Sequence, residues 1–343
     1  MLSPRRLNRA VLVRQLLLER ADLPVTAAIE RVAGLQTQYA PSGYIGLWSR
    51  LRDFERPMLT RALEERTVIQ GTLLRVTIHT VSADDYWPMT EAVRAARREW
   101  WMRTLGRQTT PAQIRAATDL LRSALADGPV PWAELRRLLQ ERALPAVGIG
   151  VWINLVRVPP SGTWERRRAD RYALADAWLP PSRQFTAGEG QALLVRRYLG
   201  AFGPARLADV AAWAGLNVAT LQPIVEGVEL RRFRDERGRE LLDLPDAPLP
   251  PEETPAPVRF LGVWDPMLLA SMRRAAILRE EHRARINNAQ QPQSMNTFLV
   301  HGQVAGAWRE LKGGIELEPF VELSPADRVA VEEEAERLAR FHA

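Results

Sequence analysis

Val68-Ile69-Gln70-Gly71-Thr72-Leu73-Leu74-Arg75-Val76-Thr77-Ile78-His79-Thr80-Val81 is rich in β-branched residues and reads as a small hairpin, and the whole architecture follows from what surrounds it. The preceding segment is helical. Apolar residues recur at Leu7, Val11, Leu12, Leu16 and Leu17, and a break at Asp22-Leu23-Pro24 leads into a second helix through Ala28, Ile29 and Val32, closed by Gly34 and Pro41. Two more helices are expected at about 44–51 and 57–65. Helices followed by a β-hairpin make a winged-helix unit.

The pattern recurs twice. Helices at about 84–103, 111–126 and 131–142 lead to an apolar, strand-like run at 148–158 and a turn at Pro159-Pro160-Ser161-Gly162. A third set at about 191–202, 205–214 and 218–225, with Gly215 at the bend, has helix-turn-helix spacing. Its wing is the segment 229–234, the turn Asp235-Glu236-Arg237-Gly238 and the strand 239–244. A faint repeat agrees: Pro24-Val25-Thr26-Ala27-Ala28…Ala33-Gly34-Leu35 matches Pro204-Ala205-Arg206-Leu207-Ala208…Ala214-Gly215-Leu216. Residues 245–257 hold six prolines and form an extended connector. Beyond it, strands are expected at about 259–264, 297–300, 303–308, 314–317 and at Phe320, then a helix capped at Ser324 with Asp327 three positions on. Glu332, Glu333, Glu334 and Glu336 are assigned to its solvated face. The expected fold is α+β and mainly helical: three tandem winged helix-turn-helix units with a C-terminal β-containing region, divided at 1–82, 83–185, 186–250 and 251–343.

A chain of 343 residues with 46% hydrophobic and 26% charged side chains is an ordinary globular protein, which excludes disorder and fibrous classes. The absence of cysteine excludes disulfides, zinc-finger frameworks, iron–sulfur clusters and thiol nucleophiles, and four histidines leave little for a transition metal. Any chemistry falls to oxygen and amide groups, with no metal and no cofactor. The net charge is +6, and Lys312 is the sole lysine among 47 basic residues. That excess of arginine suits a polyanion partner, and it also follows from GC-rich codon usage. Arg14 and Glu19 interrupt the N-terminal apolar positions, so that segment is neither a signal-peptide core nor a spanning helix, and a soluble, cytoplasmic, nucleoid-associated protein is expected.

The candidate chemistry lies in Gly34-Leu35-Gln36-Thr37-Gln38-Tyr39-Ala40-Pro41. Glutamines two apart point to nearly opposite sides of a helix but to the same side of an extended or helix-terminal segment. Pro41 is expected to push Ala40 out of the α region, so that Gln38 lies where a helix is ending. The two carboxamides then converge on one spot. The alternative is a pair of surface or capping amides.

The motif stands in a longer series: Gly34-Leu35-Gln36-Thr37-Gln38 with Trp48, the run Gly71 to Val81 with Asp84-Asp85-Tyr86, and Val156-Arg157-Val158-Pro159-Pro160-Ser161-Gly162-Thr163-Trp164. Tyr198-Leu199-Gly200-Ala201-Phe202-Gly203-Pro204, Asp209-Val210-Ala211-Ala212-Trp213, Asp243-Leu244-Pro245-Asp246-Ala247 and Phe298-Leu299-Val300-His301-Gly302-Gln303-Val304-Ala305-Gly306-Ala307-Trp308 continue it. In these residues the chain resembles the AlkZ-like family of winged-helix DNA glycosylases, which also includes YcaQ-type proteins. The resemblance implies a monofunctional glycosylase in which Gln36 and Gln38 are catalytic, acting as a monomer on double-stranded DNA with alkylated bases. Family substrates are alkylated purines such as N7-alkylguanine and N3-alkyladenine and, in some members, interstrand crosslinks. The second motif residue is Gln in the AlkZ-like branch, as here, and Asp in much of the YcaQ-like branch.

An amide pair suits such a lesion. Most glycosidases use carboxylates to activate water and protonate the leaving group, but an N7- or N3-alkylated purine is already cationic and leaves neutral. What remains is to hold a water and to aim dipoles at the developing sugar cation. Arg75 is expected to meet phosphate, with His79 either a nearby polar contact or a structural histidine. Arg157, with the rigid Pro159-Pro160 turn, is expected to line a backbone groove, and Arg166-Arg167-Arg168 either line it too or are solvated surface. Asp265, after Trp264, is assigned an electrostatic role, with Pro266 departing from the family's usual run. Trp87, Trp100, Trp101, Trp132, Trp152 and Trp213 are assigned to the core. The competing function is a winged-helix regulator that binds DNA without chemistry.

Overall fold

Three short sheets carry the strands of this computed structural model, which describes residues 1–167, 170–271, 277–286, 295–311 and 313–343. The first is six-stranded, from β1 (Leu35–Gln36), β2 (Val68–Thr72), β3 (Ile78–Ser82), β4 (Val130–Pro131), β5 (Leu155–Arg157) and β6 (Arg171–Leu174), in the order β1-β3-β2-β5-β6-β4. β7 (Arg231–Arg234) and β8 (Glu240–Asp243) form the third unit's two-stranded wing. β9 (Arg259–Leu261), β10 (Asn296–Val300), β11 (Gln303–Leu311) and β12 (Gly314–Pro319) make the C-terminal sheet, in the order β12-β11-β10-β9. The described chain is 47% helix, so the fold is α+β and mainly helical.

The hairpin β2–β3 is not a free wing. β2 pairs with β5 through Gln70 opposite Arg157 and Gly71 opposite Val156, so the first and second units share a sheet. The pairing satisfies a row of backbone donors and acceptors that an isolated hairpin leaves open. In the second unit only Leu155–Arg157 of the apolar run is strand, and Ile149–Val151 is a 3-10 turn. Ile149 packs with Leu121, Leu135 and Leu139, whereas Val151 packs with Trp101 and Ile114. Residues two apart on a strand share one face, so feeding two clusters requires the turn.

The third unit forms as its spacing indicates: helices Ala187–Phe202, Leu207–Ala214 and Val218–Glu226 precede its wing. Thr186 caps the first of them, its hydroxyl accepting from the Glu189 amide at 3.2 Å while Glu189 accepts from the Thr186 amide at 2.8 Å. Gly215 ends the second in the left-handed conformation, at φ 72°.

Two cores tie the units together. One joins Leu74 and Val81 of the first wing to Tyr86 and Met89 of helix Ala83–Thr104 and to Leu194, Leu199 and Trp213 of the third unit. The other joins Ile29, Tyr44 and Leu47 to Phe260, Phe298 and Trp308 of the C-terminal sheet and to Val331 and Leu338 of helix Pro325–His342. The proline-rich connector is held by the first helix, Pro4–Arg14. Arg5 Nε donates to Glu252 O at 2.9 Å, Arg9 Nε to Thr254 O at 2.6 Å and Arg14 Nη2 to Pro248 O at 2.9 Å.

Three charge and aromatic placements differ from the sequence reading. Arg14, an interruption of the apolar pattern, is fully buried and paired with Asp243. Glu334 is buried too, against Arg20 and Arg337, while Glu332, Glu333 and Glu336 are exposed. Trp100 is 38% exposed and its neighbour Trp101 is 1% exposed, because adjacent helical positions cannot both face one core. Among the described residues no helix is long and apolar enough to cross a membrane.

Candidate active site

Gln36 and Gln38 converge, by a different route from a helix end. The second helix ends at Arg31, and the left-handed residues Ala33 (φ 64°) and Gly34 (φ 82°) turn the chain into β1. A side chain at Gly34 would also meet Val81 Cγ1 at 3.1 Å. β1 lies along β3 with Leu35 opposite Thr80 and Gln36 opposite His79, and the Thr37 amide donates to Ile78 O at 2.9 Å. The segment is therefore extended, and Gln36 and Gln38 share a face.

Pro41 begins a helix rather than following one: Pro41–Trp48 is helical with proline in its first turn. Ala40 is in the α region at φ −51°, ψ −46°, contrary to the expected effect of the proline. The Ser42 amide bonds Tyr39 O at 3.0 Å and the Gly43 amide bonds Ala40 O at 3.2 Å, which winds the chain at that residue.

Gln36 is 5% exposed and Gln38 lies at the surface. Gln36 Nε2 donates to Gln38 Oε1 at 3.0 Å, and Gln36 Oε1 accepts from Arg75 Nη2 at 3.1 Å. Arg75 sits at the wing tip, in the 3-10 turn Leu74–Val76, and its Nη1 donates to Trp213 O of the third unit. Burial lowers the Arg75 pKa from its usual value, but arginine stays charged. The guanidinium expected at a phosphate is thus engaged with a catalytic candidate and a backbone carbonyl.

His79 faces the same side as Gln36, since paired antiparallel residues share a face. Its Nδ1 lies 3.0 Å from Thr77 O. A carbonyl only accepts, so Nδ1 carries the proton and Nε2 the lone pair. Burial, with Arg75 adding repulsion, pushes the His79 pKa from 6.5 down to about 3. The imidazole is therefore neutral at physiological pH. In the unfolded chain it protonates below pH 6.5 while the folded form resists until about pH 3, so its contribution to stability is intact above 6.5 and is lost as pH falls between those values. At pH 4.5 the loss is about 3 kcal/mol relative to neutral pH. Urea unfolding at pH 7 and 4.5 should show His79→Gln to be less acid-sensitive than wild type by that amount; equal sensitivity would refute the assignment.

The arginines divide. The row Gln36, His79, Gly71, Val156 lies on one face of the sheet, and the row Leu35, Thr80, Gln70, Arg157, Tyr172 on the other. Arg157 is thus across the sheet from the glutamines, with its Nη2 2.9 Å from Asp170 Oδ1. Arg167 comes close: its Nη1 donates to the Tyr39 hydroxyl at 3.2 Å, and its guanidinium lies 4.9 Å from the Trp164 ring. Arg166 is exposed nearby, and Arg168 lies outside the described residues. Asp265 is 4% exposed, and both oxygens are taken by Arg50 at 2.9 Å. Arg50 also donates to Gly46 O at 2.9 Å and Gln15 Oε1 at 3.1 Å, and the Met267 amide reaches Asp265 Oδ1 at 2.9 Å. Among the described residues no three His, Asp or Glu side chains are grouped to hold a metal.

Tyr39 and the Trp213 carbonyl are contacts that sequence reasoning missed. The motif's spacing assigns Tyr39 no partner, and Arg167 reaches its hydroxyl from a distant turn. No sequence signal marks a backbone carbonyl in a distant helix.

This arrangement can be set beside known proteins. A curated relative, an interstrand DNA cross-link repair glycosylase of Streptomyces sahachiroi, is 23% identical over an alignment of 356 positions that covers 95% of this chain and 93% of the relative. The solved structure of Streptomyces sahachiroi DNA glycosylase AlkZ matches with a TM-score of 0.83 at 21% identity, over 99% of this chain and 96% of that one. At that identity the likeness establishes the fold. A family model described as DNA glycosylase AlkZ-like matches residues 29–341. That match spans nearly the whole chain and both glutamines, so the protein belongs to the AlkZ-like family of DNA glycosylases.

Proposed function

We propose that this DNA glycosylase hydrolyses the N-glycosidic bond of cationic alkylated purines, of the N7-alkylguanine and N3-alkyladenine type, in double-stranded DNA. It acts as a monomer and needs neither metal nor cofactor. Family membership already favours an enzyme over a regulator that only binds DNA. The observation that carries the narrower reading is the carboxamide pair itself, a buried Gln36 bonded to an exposed Gln38, with no carboxylate hydrogen-bonded to either among the described residues.

Glutamine can neither protonate a leaving base nor deprotonate water outright. A cationic purine leaves as a neutral base, so the first task disappears. The second reduces to orienting a water and presenting partial negative charge to the sugar as it becomes oxocarbenium-like. Gln38 Oε1 keeps a lone pair beyond the one used by Gln36, enough to accept from a water. Arg167, bonded to Tyr39, and its exposed chain neighbour Arg166 are suited to follow the phosphate backbone, where each contact steepens the salt dependence.

The test is base release from duplexes carrying N7-methylguanine, scored as alkali-labile sites, against matched duplexes carrying uracil. Release of methylguanine at least about a hundredfold faster is expected, the scale of one acid–base contribution missing from the site. Uracil excised at a similar rate would overturn the reading.

Crosslinked purines are a second substrate class favoured by a particular observation. Gln38 and Tyr39 are exposed, with Tyr39 at 40%, so the outer half of the motif is not enclosed in a tight pocket. A base tethered to both strands cannot enter such a pocket. The relative's description as a cross-link repair glycosylase agrees.

A further inference from the structure

From the Arg75 geometry we infer that this residue is the positioning residue of the glutamine pair, and that the third winged unit, by holding Arg75, completes the active site. The inference rests on the reading that Gln36 and Gln38 are catalytic.

Two adjacent carboxamides can bond in either sense, since each has an oxygen that accepts and a nitrogen that donates. Arg75 removes that ambiguity. A guanidinium has donors only, so the Gln36 atom 3.1 Å away is Oε1. The Gln36 nitrogen is thereby turned to Gln38, and the Gln38 atom 3.0 Å from it is Oε1. One cation at the wing tip sets both amides. Because Gln36 is 5% exposed, water is a poor substitute for the missing donor.

Arg75 is itself fixed from outside the first unit. Its Nη1 donates to Trp213 O, near the end of helix Leu207–Ala214. The next turn brings Gly215 against it: a side chain there would lie 3.3 Å from the Arg75 nitrogen and 3.4 Å from its Cγ. Arg75 stands at φ 51°, ψ 26°, a left-handed conformation that non-glycine residues rarely adopt. The planar fork thus spans two acceptors from two units, which a lysine ammonium on a flexible stem cannot match.

A phosphate-binding arginine and a positioning arginine predict different measurements. Arg75→Met in the full-length protein should slow single-turnover release of N7-methylguanine by about ten- to a hundredfold, the cost of leaving one buried acceptor unpaired. Affinity for an undamaged duplex and the slope of that affinity with salt should stay as in wild type. In a Gln36→Ala background the same change should cost nothing more, because the amide through which Arg75 acts is gone. Arg75→Lys, which keeps the charge and a donor, should bind DNA normally yet release base more slowly than wild type. It also serves if Arg75→Met does not fold. Rate losses that multiply with Gln36→Ala, a salt slope reduced by about one, or a wild-type rate in Arg75→Lys would each overturn the assignment. If Gln36→Ala alone leaves the rate unchanged, the fault lies with the catalytic role of the glutamines.

Discussion

Gln38→Ala is expected to slow single-turnover release of N7-methylguanine by about 10²- to 10³-fold, or roughly 3–4 kcal/mol of transition-state stabilisation. The magnitude is that of one preorganised polar group removed from beside a developing charge. Gln38 carries it because it is the exposed member of the pair and still has a lone pair and its amide protons available. Its fold cost is small, since a surface side chain is lost and only one internal bond with it. Affinity for undamaged duplex should therefore change little. Gln36→Ala should reach a similar loss by removing the amide that holds Gln38, and the double variant should be no worse than about the larger single effect. A Gln38→Ala protein that retains even a third of the wild-type rate would mean that the amide is not at the reacting atoms. The wild-type rate should also be flat between about pH 5 and 8, because His79, opposite Gln36 in the sheet, is already neutral there and Arg75, bonded to Gln36, stays charged.

Asp265→Ala should act on folding instead. The Arg50–Asp265 pair is 0% and 1% exposed at its side chains, with both carboxylate oxygens bonded. Removing the carboxylate leaves Arg50 buried and unpaired, which costs roughly 3–5 kcal/mol. Urea or thermal unfolding should record that loss. Where the variant is still folded, its rate of base release should lie within a few fold of wild type. Arg50→Met in the Asp265→Leu background should recover much of the stability, since a well-packed apolar pair replaces a buried ionic one at little net cost. A large rate loss with unchanged stability would instead support the electrostatic role that the sequence position suggested.

Much of this protein was legible before any coordinates. Helical periodicity, the β-branched run at 68–81 and the helix-turn-helix spacing around Gly215 are local properties, encoded within a few turns of chain, and they appear where the residues indicate. Capping at Ser324 belongs with these. The convergence of the two glutamines was expected from their spacing, but at a helix end; it is pairing with the distant β3 that makes the segment extended.

The rest depends on which distant groups meet. Whether an arginine faces phosphate, carboxylate or carbonyl cannot be read from its neighbours in sequence: Arg14 found Asp243, Arg50 found Asp265, Arg157 found Asp170, and Arg75 found Gln36 together with Trp213 O. Those partners are 13 to more than 200 positions away, and a charge so paired is no longer a marker of the DNA surface. The continuous sheet across the first two units is of the same kind, because the open edge of β2 accepts whatever strand the packing of helix Ala83–Thr104 brings to it. Local periodicity thus specified most of the elements. Only the packed chain decided how the two glutamine amides are turned, because their orientation is set by a donor held from the third unit.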